Sequence, residues 1–154
     1  MRVVDANVLI YAVNEDTLHH LDSKRWLDLA LNGADTVGFT WNAMLAFVRI
    51  TTHSSILRHP FSIQEAMSQL ERWLDSPTAR ILEPGPTHLA LLASLLRATK
   101  GNGNLTNDAH LATIALENRA SLATYDTDFS RFPEVDWITP TELIAEAEKL
   151  SDQG

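Results

Sequence analysis

Four aspartates stand where short apolar runs end, and oxygen donors so placed can hold a hard divalent cation. Asp5 closes the run Val3-Val4, Asp126 and Asp128 follow Ser121-Leu122-Ala123-Thr124, and Asp108 stands at a helix start directly after Gly101-Asn102-Gly103-Asn104. A lone carboxylate taken out of water is very costly, so an acid ending a buried strand needs donors or a cation. Each acid alone has an ordinary explanation. Asp5 can bond its own turn, Asp108 can cap a helix and be favoured by its dipole, and Asp126 and Asp128 can form turns. Jointly, those explanations require separate accidents at the same edge of one sheet. A shared site at Asp5, Asp108, Asp126 and Asp128 accounts for all of them, because ligands of open parallel sheets bind beyond the carboxyl ends of the strands. Oxygen-only donors select Mg²⁺ or Mn²⁺, and Mg²⁺ needs only one or two carboxylates besides waters and phosphate.

The elements that must position these acids alternate between β-like and helical runs. Strands are predicted at 3–4, 36–39, 80–82, 121–124 and 135–139, and helices over 19–32, 41–52, 62–75 and 87–99, from Thr106, and from Pro140 onward. Ser62 and Glu65 form a capping box with Phe61 as staple residue, and Pro77 ends that helix. Such alternation predicts an α/β domain with a mainly parallel sheet of four to five strands. One domain over 1–145 is expected, with 146–154 as a flexible C-terminal tail.

Bulk composition narrows the classes. The chain has 154 residues, enough for one domain with a proper core, and 45% hydrophobic against 21% charged residues is usual for a folded soluble protein. It lacks cysteine, which excludes disulfides, thiolate zinc sites and cysteine nucleophiles and suits a reducing cytoplasm, the expected location. Asp5 and Asn7 interrupt the N-terminal apolar run, so no signal peptide is expected there, and no apolar run reaches membrane-spanning length. A net charge of −8 argues against a broad basic surface for indiscriminate nucleic-acid binding. It leaves nucleic acid open as a substrate, since cations can bridge acids to phosphate.

Three stretches resemble one family, the PIN-domain ribonucleases, and within it the VapC toxins of bacterial toxin–antitoxin pairs. They are Val4-Asp5-Ala6-Asn7-Val8-Leu9-Ile10-Tyr11, Thr106-Asn107-Asp108-Ala109-His110-Leu111-Ala112, and Leu122-Ala123-Thr124-Tyr125-Asp126-Thr127-Asp128-Phe129 continuing through Arg131-Phe132-Pro133. The resemblance runs from Val3 to about Pro140 and implies a PIN-domain fold with helices on both faces of the sheet. It implies that Asp5, Asp108 and Asp126 hold divalent metal with Asp128 as a fourth contributor, and that Asn7 and Thr124 orient carboxylates and water. The implied reaction is hydrolysis of RNA to 5′-phosphate and 3′-hydroxyl ends. The implied partners are a second copy in a homodimer and a VapB-type antitoxin whose C-terminal segment enters the crevice, an arginine there replacing metal charge.

One departure concerns the metal count. The family usually carries a glutamate in a Leu-Ala-Glu-like context, and here the matching stretch is Met44-Leu45-Ala46-Phe47-Val48-Arg49, with no acid between Asp35 and Glu65. Phe47 itself reads as a core residue; Phe47-Val48-Arg49-Ile50-Thr51-Thr52 is similar to a subgroup of VapC toxins, so the loss reads as a subgroup trait that leaves one or two metals open. Arg49 is a candidate RNA contact. His53, Arg58 and His59 read as a loop surface, His19, His20 and His110 as solvated or structural rings, and Trp26, Trp41, Trp73 and Trp137 as core or dimer contacts. The helices at 62–75 and 87–99 carry enough apolar residues for a dimer. Two rivals remain: a degraded PIN domain that only binds a partner, motivated by Phe47, and a haloacid-dehalogenase-type phosphatase, which Asp5-Ala6-Asn7-Val8 partly resembles but which lacks the second aspartate.

Overall fold

The computed structural model describes residues 1–99 and 103–152; of the expected Gly101–Asn104 loop, Gly101 and Asn102 lie outside the described residues. Strands β1 (Arg2–Val4), β2 (Val37–Thr40), β3 (Ala79–Leu82), β4 (Ser121–Ala123) and β5 (Trp137–Ile138) form one sheet in the order β3-β2-β1-β4-β5, parallel at every pairing. Helices α1 (Ala6–Val13), α2 (His20–Leu31), α3 (Trp41–Thr51), α4 (Ile63–Leu74), α5 (His88–Ala98), α6 (Thr106–Glu117) and α7 (Pro140–Ser151) provide the crossovers and the last layer. The expected parallel α/β architecture is borne out.

Alternation along the strands divides the core between the two faces of the sheet. Val4 and Ala123 face a cluster with α1, α2, α3, α4 and α7 that holds Leu9, Trp26, Phe39, Phe47 and Trp73. Val3 and Leu122 face the other way, against Leu95 of α5, Ala112 of α6, and Phe129 and Phe132 of the turn after β4. The chain winds outward from β1 through β2 to β3, then crosses through α5 and α6 to β4 on the other side of β1. The β1/β4 boundary is therefore the switch point, where the ends of neighbouring strands leave a crevice.

Two boundaries differ from the sequence reading. α1 starts immediately after β1, where a turn was expected before a helix near residue 19. Its residues Val8, Leu9, Ile10 and Ala12 are all buried, so the segment has no apolar–polar period to reveal a helix. α7 continues through Ser151, so residues 146–151, expected as tail, are helical. A capping box between Thr139 and Glu142, Pro140 in the first turn, and an ion pair from Arg25 on α2 to Glu148 support it. No helix among the described residues is long and apolar enough to cross a membrane.

Candidate metal centre at the switch point

Asp5 occupies the step from β1 into α1. It has extended backbone and caps the helix, Oδ1 accepting from the Ala6 amide at 2.7 Å. Its Oδ2 accepts from the Thr124 hydroxyl at 2.7 Å and from the Asn7 carboxamide at 2.9 Å. Thr124, fully buried after β4, also accepts from Asn7 Nδ2 at 3.1 Å and from the Asp126 amide at 2.9 Å, and Asn7 Oδ1 accepts from the Tyr125 amide at 3.3 Å. The ends of β1 and β4 are thus tied by a polar network, with the Asp5 amide donating to the Ala123 carbonyl at 3.1 Å. Asn7 and Thr124 both bond the Asp5 carboxylate directly.

Asp126 starts the short 3₁₀ turn Thr127–Arg131 and accepts the Asp128 amide at 2.8 Å, which fixes both acids on one turn. Asp108 projects from the first turn of α6. Single carboxylate oxygens of Asp108, Asp126 and Asp128 all lie within 4.8 Å of one another. Asp5 borders this triad; its oxygens are engaged by Ala6, Asn7 and Thr124. Arg131 reaches the outer acid, its Nε 3.3 Å from Asp128 Oδ1.

The electrostatics show how costly the cluster is without a cation. Burial, then the charges of Asp126, Asp5 and Asp128, push Asp108 up to about 6. Burial also raises Asp5; the bonds from Thr124, Ala6 and Asn7 oppose that rise, and the charge of Asp126 adds to it. Carboxylates that raise one another in this way favour either a shared proton or a cation. The donor set is all oxygen and converges, which suits Mg²⁺ or Mn²⁺.

Beside Asp5 and Asp108 opens a cavity of about 190 Å³, walled by Asn42, Ala43 and Ala46 of α3 and by Asn107 and Leu111 of α6. Phe47 is not part of that lining and is a core residue, as expected. That ring is fully buried, 5.2 Å from Trp73 edge-on, on the core face of α3. Helical spacing instead brings residues 42, 43 and 46 to the acids, so the α3 side of the crevice is carboxamide and methyl, without a carboxylate. Asn42, Asn107 and Ala46 went unassigned in the sequence; Asn107, next to Asp108 in a helix-start motif, carried the only local signal.

The remaining candidates are separate from the acids. His88 Nδ1 lies 2.8 Å from Glu117, and His88 Nε2 lies 2.9 Å from His110 Nδ1, a network joining α5 to α6. His20 Nδ1 is 2.8 Å from the Tyr11 carbonyl, and His19 stacks on Tyr125 at 4.0 Å. His53 and His59 are exposed and Arg58 lies 3.8 Å from Asp16, a loop surface as expected. Trp26 and Trp73 are core residues, whereas Trp41 is half exposed and donates to Glu83 at 2.8 Å. Asn7 spends its amide on Asp5 and Thr124, so no second carboxylate stands where the phosphatase reading needs one.

Comparison with known proteins agrees with this arrangement. The PIN domain family matches residues 2–135. The chain is 47% identical over 144 residues to Ribonuclease VapC37 of Mycobacterium tuberculosis, covering 94% of this chain and all of that protein. It is 33% identical over 140 residues to Ribonuclease VapC33 of the same species, covering 91% and 98%. Among solved structures, VapBC2 from Rickettsia felis bound to a promoter DNA fragment superposes with a TM-score of 0.64 at 18% identity, covering 90% of this chain and 97% of that one. VapC20 of M. tuberculosis, described as a Sarcin-Ricin loop cleaving toxin, gives 0.63 at 14% identity over 84% and 93%. The match along the chain, the parallel sheet and the aspartates at its switch point lead to one conclusion: this chain belongs to the PIN-domain family, in its VapC branch.

Proposed function

We propose that the chain is a Mg²⁺- or Mn²⁺-dependent endoribonuclease toxin that hydrolyses RNA phosphodiester bonds, leaving 5′-phosphate ends, and that a VapB-type antitoxin restrains it. The observation carrying this reading is the convergence of Asp108, Asp126 and Asp128 within 4.8 Å, with Asp108 raised to about 6 beside them. Asp108, Asp126 and Asp128 would hold the cation directly, with Asp5 at their edge. When bound, a divalent ion supplies an acidified water and offsets charge on the attacked phosphate. Thr124 and Asn7 hold the Asp5 carboxylate in one orientation and oppose the rise that burial causes. Arg49, exposed on α3, contacts an RNA phosphate outside the acids. The names of relatives such as Ribonuclease VapC37 support the reaction class, and VapBC complexes among the fold neighbours support the antitoxin.

A homodimer and a cytoplasmic location complete the proposal. Ile63 and Met67 on α4 and Leu89 on α5 leave apolar side chains exposed for a second copy. The function is tested by mapping cleavage ends in total RNA treated with purified, antitoxin-free protein and Mg²⁺ or Mn²⁺. Wild type should produce new 5′-phosphate ends that Asp5→Asn and Asp126→Asn do not. Identical end maps from all three proteins would remove the nuclease reading and leave a PIN domain that only binds.

A further inference from the structure

The cavity beside the acids has a composition that the hydrolytic chemistry does not need. Ala43, Ala46 and the buried Leu111 give it an apolar part. Two exposed carboxamides also line it, Asn42 in the first turn of α3 and Asn107 in the first turn of α6. A carboxamide offers both a donor and an acceptor, so this pair can match a neutral ligand with a polar edge. Its 190 Å³ equals roughly six water molecules' share of liquid and falls below the range of about 300–1,000 Å³ for whole drug-sized ligands. One flat ring with its hydration fits; a dinucleotide does not. Asp5 and Asp108 at the near side keep an uncompensated phosphate out.

Resting on the nuclease reading, we infer that this cavity is a nucleobase subsite, taking the base of the nucleotide next to the scissile phosphate. Asn42 and Asn107 meet its edge, and Ala43, Ala46 and Leu111 meet its face. Recognition of single-stranded RNA takes unstacked bases and hydrogen-bonds them at their edges; here the base face meets aliphatic groups instead of an aromatic ring. The site-facing stripe of α3 runs Asn42, Ala46, Arg49, and steps of three to four residues are about one helical turn of roughly 5.4 Å. Arg49 therefore stands about one turn beyond the cavity wall, placed for the phosphate of the following nucleotide. Ala46 lines the cavity, so a leucine there takes up part of its space.

The test measures anisotropy of fluorescein-labelled oligo(A), oligo(C), oligo(G) and oligo(U) with the Asp126→Asn protein, which holds the crevice without cleaving. Adding Ala46→Leu should weaken the best-bound oligomer about tenfold, about 1.4 kcal/mol. Adding Asn42→Ala with Asn107→Ala, both at exposed positions the fold does not depend on, should level the differences among the four. Mn²⁺ affinity of the same changes in the wild-type background should stay constant. Oligomer affinities unmoved by either change, or a parent protein that binds none of the four, would overturn the subsite. If affinities respond while wild type cuts no RNA with Mg²⁺ or Mn²⁺, the subsite stands and the nuclease reading fails; cleavage with insensitive affinities does the reverse.

Discussion

Replacing Thr124 by Val keeps the shape of a fully buried side chain and removes the hydroxyl that joins three parts of the site. Three bonds are lost: the donation to Asp5 Oδ2 at 2.7 Å, and acceptance from the Asp126 amide at 2.9 Å and from Asn7 at 3.1 Å. The first is charge-assisted and worth about 1.5–3 kcal/mol; the two N–H donors sit in a half-open crevice where water can replace part of their loss. A destabilisation of about 2–3 kcal/mol follows, which for a domain of this size lowers Tm by about 5–10 °C. The Thr124 bond is the strongest of the contacts holding the Asp5 pKa down, so its removal raises Asp5 further above its ordinary value. Mn²⁺ affinity, read by isothermal titration, should then fall and recover at higher pH. Thr124→Ser should restore both Tm and affinity. A Thr124→Val protein with wild-type Tm and an unchanged pH profile of Mn²⁺ binding would refute the claim that this hydroxyl organises the Asp5 corner.

Three other outcomes are expected. Because Asp108 is raised to about 6, protons compete with metal, and Mn²⁺ affinity should drop up to about tenfold per pH unit below that value and level off above it. For the metal-free protein the sign is opposite: a raised carboxylate adds stability below its unfolded value, lost as pH rises through about 6, so metal-free Tm should fall over that window. A flat affinity between about pH 5 and 7 would contradict both. Ala46→Glu adds a carboxylate to the α3 wall beside Asp5 and Asp108 and should tighten Mn²⁺ binding, whereas Phe47→Glu should instead unfold the core around Trp73; calorimetry and thermal melts separate the two. Glu117→Gln weakens the acceptor for His88, Gly85 and Thr87 and should cost about 1–3 kcal/mol in urea unfolding while leaving Mn²⁺ affinity unchanged.

The acids were legible in the sequence because the chemistry is local. An aspartate ending an apolar run announces a strand end, and three such motifs in order announce one edge of a parallel sheet. Strands, most of the helices after them, and the capping box at Ser62 follow from side-chain type and spacing within a few residues, whereas the box at Thr139 went unread. α1 escaped because its residues are apolar but for Asn7 and leave little amphipathic period to read; the better clue was Asp5 itself, a favoured cap residue. The direction in which α3 faces the site also had to come from packing. Residues 46 and 47 are neighbours in sequence, yet about 100° of helical rotation sends one to the acids and the other into the core. Sequence alone determined which oxygen donors exist and that they share one sheet edge. Tertiary structure decided that Asp108, Asp126 and Asp128 converge while Asp5 is held at their side, and that alanines face them, because those relations depend on strand order and helix rotation across more than a hundred residues.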